Sequence, residues 1–199
     1  AWKIAPARPA SAYYYELDLD GIAVTATAPL GTLSSRTTGL RLEGVQGAWS
    51  YAAEYARQHD LDSNPWALDS RYLLAELGYK VGGVGLKAGY ESLGGGTGTG
   101  NRAFQTPLAT KHAFQGWADV FLSTPAQGID DAYLGATVPL GGGSLQAWYH
   151  DFSPERGGGS YGDEIVLSYA RPIPGVEGLA GLFKLARYPS DGPARTVGT

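Results

Sequence analysis

Cysteine and methionine are both absent from the 199 residues. Without cysteine there are no disulfides, thiolate zinc sites, iron–sulfur clusters or cysteine nucleophiles. Without methionine there is no initiator, and the expectation is a chain processed at its N-terminus or a fragment that has lost its beginning. An excess of positive charge is lacking too. The 15 Lys and Arg face 19 Asp and Glu, a net of -4, so no nucleic-acid partner is expected. Long hydrophobic runs are missing: no stretch approaches the ~20 apolar residues of a spanning helix. Residues 1–10 hold no apolar core of a signal peptide, although a mature chain would have shed one. A mean hydropathy of -0.17 suits a soluble protein. It equally suits an outer-membrane barrel, whose lumen-facing half is polar.

What the chain does contain is 30 Gly, 13 Tyr, 5 Trp and 12 Pro. Glycine weakens helices, whereas tyrosine and tryptophan favour pleated surfaces. Period-two alternation then places the strands. Segment 47–58 sets Trp49, Tyr51, Ala53 and Tyr55 on one face and Ser50, Ala52, Glu54, Ala56 and Gln58 on the other. The same alternation runs through 71–81, 84–91, 145–152, 163–170 and 179–188. Further strands are expected at 12–20, 21–28, 37–45 and 131–138. Short links (81–83, 140–143) alternate with long ones (60–70, 93–111), as in an up-and-down barrel with tight turns at one rim. A soluble sandwich or lipocalin-like barrel shares the pattern. The expected fold is all-β: an antiparallel up-and-down meander of about ten strands. It forms a β-barrel or a large part of one, as a single domain over 1–199 with an irregular tail at 189–199.

Segment 104–131 breaks the pattern. It carries Thr106-Pro107 and Thr124-Pro125 and is rich in aromatics. Phe114, Trp117 and Phe121 are spaced for one face of a short helix over 113–122, or the same residues could run as a strand. So many aromatics should pack inward rather than lie in solvent. The run Phe104-Gln105-Thr106-Pro107-Leu108-Ala109-Thr110-Lys111-His112-Ala113-Phe114-Gln115-Gly116-Trp117-Ala118-Asp119 resembles a segment of the alginate-export family of bacterial outer-membrane β-barrels. The resemblance continues through Phe121-Leu122, Thr124-Pro125, Gly128-Ile129-Asp130 and Tyr133. Flanking pieces match in the same order: 51–58, 88–91, 149–152 and 161–164. Together they cover about 37–188. The resemblance implies an outer-membrane location; the cell surface is the alternative for a structural subunit that assembles into a filament. It also implies a longer barrel with more strands ahead of this region and a closing strand that ends in an aromatic residue. The partners expected are outer-membrane lipid and, as further candidates, other copies of the chain or a missing barrel half.

Alternation supplies candidate lumen residues: Glu54, Arg57, Glu76, Lys80, Lys87, Glu91, His150 and Lys184. Candidate constriction residues in the infolded loop are Lys111, His112, Phe114, Trp117 and Asp119. Charged rings set ion selectivity in pores. This set is mixed, and cross-strand pairs of Lys87 with Glu54 or Glu76 are expected to neutralise much of it. Catalysis is not expected. His150 and Asp151 are adjacent on a strand and point to opposite faces, and no Gly-x-Ser-x-Gly elbow accompanies Ser144, Ser153 or Ser160. His59, His112 and His150 lack metal-ligand spacing, so no metal and no cofactor is expected. The glycine run 94–100 reads as a flexible loop. A soluble carbohydrate-binding barrel is a third option behind two main functional expectations. One is a passive porin-like channel for small solutes or polysaccharide. The other is a structural sheet subunit that assembles through open strand edges.

Overall fold

The computed structural model describes residues 2–5, 8–110 and 115–189, with side chains within 10–110 and 115–189. It holds ten strands: β1 (Trp2–Ala5), β2 (Arg8–Leu17), β3 (Ser35–Gln46), β4 (Trp49–Asp60), β5 (Asp69–Val81), β6 (Val84–Gly94), β7 (Gly128–Leu140), β8 (Gly143–Ser153), β9 (Gly162–Pro172) and β10 (Ala180–Arg187). Each pairs antiparallel with its sequence neighbours in one sheet, in the order β1 to β10. Among the described residues no pairing joins β10 to β1, so this all-β meander is not closed.

Tight turns collect at one rim. Gly82 and Gly83 take φ of 56° and 85°, and Gly141 and Gly142 take 53° and 79°. Two successive residues at positive φ match the right-handed twist of the flanking strands, and glycine adopts that geometry without strain. The opposite rim carries the long connections 18–34, 61–68, 95–127 and 154–161.

Three local expectations are corrected. Segment 21–28 is not a strand but a compact series of turns and bends. Its backbone is satisfied locally: Gly31 N donates to Ile22 O at 2.9 Å and Val24 N to Thr32 Oγ1 at 2.8 Å. Thr-Ala alternation resembles a strand in sequence, but here no neighbouring strand pairs with it. The tenth strand is instead β1, which the sequence reading did not place. The short helix proposed over 113–122 is absent from its described part. Positive φ at Gln115 (49°), Gly116 (82°) and Asp119 (55°) interrupts any helical run. Ala113 and Phe114 lie outside the described residues, as does the tail from 190.

The faces of the sheet differ in kind. One, the inner face, is covered by connection 95–127. Its core cluster joins Ala56, Leu93, Ile129 and Phe152 of the strands to Phe104 and Phe121 of that connection. Tyr13 of β2 and Tyr188, just past β10, pack on the same cluster, so the sheet curls around the connection. The other, outer face is apolar and exposed. One register line across it reads Trp49, Tyr79, Leu86, Ala136, Ala147, Leu167 and Leu185, each abreast of the next.

Candidate lumen on the inner face

The curled sheet and its infolded connection leave an inner cavity of about 1150 Å³. Its wall comes from the inward parity of the strands, which puts Glu54, Glu76, Glu91, Asp131 and His150 along it. Each carboxylate is held. Glu54 accepts from Tyr13 Oη and from Arg41 Nη1, both at 2.6 Å. Glu76 accepts from Lys87 Nζ and Tyr133 Oη, both at 2.8 Å. Glu91 accepts from Tyr72 Oη at 2.6 Å and from Gln115 Nε2 at 2.7 Å. His150 Nδ1 lies 3.0 Å and 2.9 Å from the two oxygens of the buried Asp131.

Two tyrosines reach their carboxylates by crossing a strand. Tyr13 on β2 passes over Gly39 of β3 to Glu54 on β4. Tyr133 on β7 passes over Gly89 of β6 to Glu76 on β5. In both cases a Cβ on the glycine would fall inside the tyrosine ring. Trp148 covers Gly135 in the same way. These glycines are required by close approach of a ring rather than by backbone conformation.

Buried polar side chains fasten the connection to the wall. Gln58 gives a paired bridge: its Nε2 donates to Gln105 O at 2.9 Å, and its Oε1 accepts from Gln105 N at 2.8 Å. Gln105 repeats the device with Thr124, at 3.0 Å and 3.2 Å. Within the wall itself, Ser70 Oγ of β5 donates to Gly94 O of β6 at 2.7 Å. Glu164, fully buried on β9, accepts from Trp117 N at 2.6 Å and Ala118 N at 3.1 Å through Oε1. The positive φ of Gln115 and Gly116, just ahead of them, aims those amides at it. Lys184 of β10 sets its ammonium 4.1 Å from the centre of the Trp117 ring. Outside the strands, burial raises the Tyr161 and Tyr188 phenols above their ordinary range. Both therefore act as neutral donors, Tyr161 to Gly128 O at 3.1 Å and Tyr188 to the Tyr161 carbonyl.

The inward candidates Glu54, Glu76, Lys87, Glu91, His150 and Lys184 all line the cavity. Lys87 pairs with Glu76, one of the two partners expected for it; Glu54 pairs with Arg41 instead. Arg57 is a correction. It stands at an odd position of β4, the parity of Tyr55 on the outer face, and pairs with Asp69 at 2.7 Å in an exposed bridge. Lys80 has the inward parity but sits exposed beside the Gly82-Gly83 turn, clear of the cavity. Of the constriction candidates, Trp117 lines the cavity. Asp119 is in the connection, set at positive φ. Lys111, His112 and Phe114 lie outside the described residues. The sequence reading missed Arg41, Gln58, Asp131, Tyr133, Trp148 and Glu164. Parity could have found Arg41, Gln58, Asp131 and Glu164. The ring-over-glycine pairs needed the strand register.

Comparison with protein-family models, with curated proteins and with solved structures finds no match to this chain.

Proposed function

We propose that the chain is the wall of an outer-membrane β-barrel that passes solute through a polar lumen, narrowed by the connection 95–127. The observation that carries this reading is the inverted polarity of the sheet: apolar side chains face outward and paired charges face inward. Along β5 the outward residues Leu73, Ala75, Leu77, Tyr79 and Val81 form an unbroken apolar line. At a rise of ~3.4 Å per residue it runs about 27 Å along the strand, or about 21 Å in height at a ~40° tilt. The apolar belt of such barrels is ~25 Å tall. Polar residues resume toward the long-loop rim, where Arg57 pairs with Asp69 and Asp151 is exposed. Strands of 11 to 13 residues from β3 to β9 are long enough to span when tilted. The resemblance of 104–119 to the alginate-export family supports the same class, without fixing a cargo. Reconstitution into planar bilayers tests the reading: discrete conductance steps are expected, and their absence from folded protein would end it.

A second reading has one specific observation behind it. The free edge of β10 has no strand partner among the described residues, and such edges template pairing with another chain. A sheet subunit joined edge to edge would form long polymers, whereas a channel would give a discrete particle in detergent.

A further inference from the structure

Three aromatic rings lie across the wall of the cavity rather than projecting into it. Tyr13, Tyr133 and Trp148 each occupy the space above a glycine of the neighbouring strand, and all three line the cavity. A ring laid along a wall keeps one side on the wall and gives the other to the space it lines. The Tyr13 and Tyr133 rings are pinned at their hydroxyls by Glu54 and Glu76. Tyr133 is also contiguous with other rings, its centroid 6.1 Å from that of Trp148 and 5.5 Å from that of His150. The result is a fixed strip of ring faces bordered by hydrogen-bonding groups.

The described lining residues carry no excess of positive charge: Arg41, Lys87 and Lys184 stand against Glu54, Glu76, Glu91 and Asp131. Arg41 pairs with Glu54 and Lys87 with Glu76, and the His150 ring nitrogen lies 2.9 Å from Asp131. Lys184 stands over the Trp117 ring, and Glu91 is held by the neutral donors Tyr72 and Gln115. A lumen that drew a polyanion would present unanswered bases along its wall. This one presents ring faces and carboxylate, amide and hydroxyl groups in balance. A pyranose ring has the complementary surface: an apolar C–H face for the aromatic ring, and hydroxyls around its edge for the carboxylates and amides.

Resting on the lumen reading above, we propose that this cavity binds a neutral saccharide, a pyranose chain bearing no carboxylate, with Tyr133 and Trp148 as stacking platforms. Selection against a uronate chain comes from the carboxylates, which outnumber Lys and Arg among the described lining residues by four to three.

Calorimetric titration of the full chain in detergent tests this, using maltohexaose and cellohexaose as neutral probes and a mannuronate hexamer as the anionic one. At least one neutral probe should bind, and the uronate should bind at least about tenfold more weakly. Trp148→Leu should weaken the neutral probe about tenfold, while Tyr133→Phe, which keeps the ring, should leave it within about twofold. Glu76→Gln releases the Lys87 charge and should raise uronate affinity, a gain that a folding defect cannot mimic. Tighter binding of uronate than of both neutral probes would overturn the proposal, as would no binding of any probe, or no uronate gain in Glu76→Gln. Calorimetry requires no conductance, so the two readings fail separately. Binding without conductance sinks the channel alone, and conductance with uronate preference sinks the saccharide proposal alone.

Discussion

A glycine that hosts a ring is a stricter requirement than a glycine in a turn. Gly89 lies directly under the Tyr133 ring, and a methyl group there would displace that ring and break its bond to Glu76. Gly89→Ala should lower stability by about 1–3 kcal/mol, as overpacking does. Denaturant unfolding in micelles would read this loss. Removing the ring as well, in a Gly89→Ala/Tyr133→Ala pair, should cost less than the sum of the single changes, because the clash is gone. Parity gives a second prediction at this scale. Lys87→Ala should shift the reversal potential of the reconstituted protein toward cations, since Glu76 loses its counter-charge. Arg57→Ala should leave that potential unchanged, because its bridge to Asp69 lies on the outer face. Equal effects from both variants would contradict the face assignment.

Among the elements, strands and connections were legible to different degrees. The long strands were readable because burial on one face imposes a period of two, and β4 to β6 fall within a few residues of their expected limits. Segment 21–28 shows the limit of that signal. Alternation marks a side-chain pattern, and only a partner strand converts it into a ladder. The order of the strands followed from tight and long links, but the register did not, and the ring-over-glycine contacts depend on register. The aromatic content of 104–131 indicated that it packs inward, and its described part does; Gln58 and Glu164 had the inward parity, but their role in holding it was not legible. Their polarity reads as surface until the connection covers them. The Gln58 bridge gives a prediction. Gln58→Leu leaves the Gln105 backbone N–H and C=O without partners, at about 1–3 kcal/mol for each buried group. The Gln105 amide should exchange with deuterium markedly faster, and limited proteolysis should cut within 95–127 sooner. Unchanged exchange would show that the connection is fastened elsewhere.

For the whole molecule, the informative quantity is what the outer face costs in water and in lipid. On a soluble protein, an exposed leucine changed to arginine is close to neutral in stability. In a bilayer-embedded wall, the same change near mid-depth costs about 2–4 kcal/mol. Leu77 is exposed and central in the apolar line of β5. Leu77→Arg, compared with the parent by urea unfolding from lipid vesicles, should show that penalty. A penalty near zero would place this face in water and remove the membrane reading with it.

The unequal rims carry a consequence for assembly. If the sheet enters a bilayer, one end has to be pushed through the hydrocarbon ahead of the other. The turns at Gly82-Gly83 and Gly141-Gly142 present almost no polar mass. The opposite end would drag segments 18–34 and 95–127 across with their hydrogen-bonded side chains. Insertion can therefore run in only one sense, with the glycine turns as the leading edge. Every molecule added from one side of a vesicle would then face the same way.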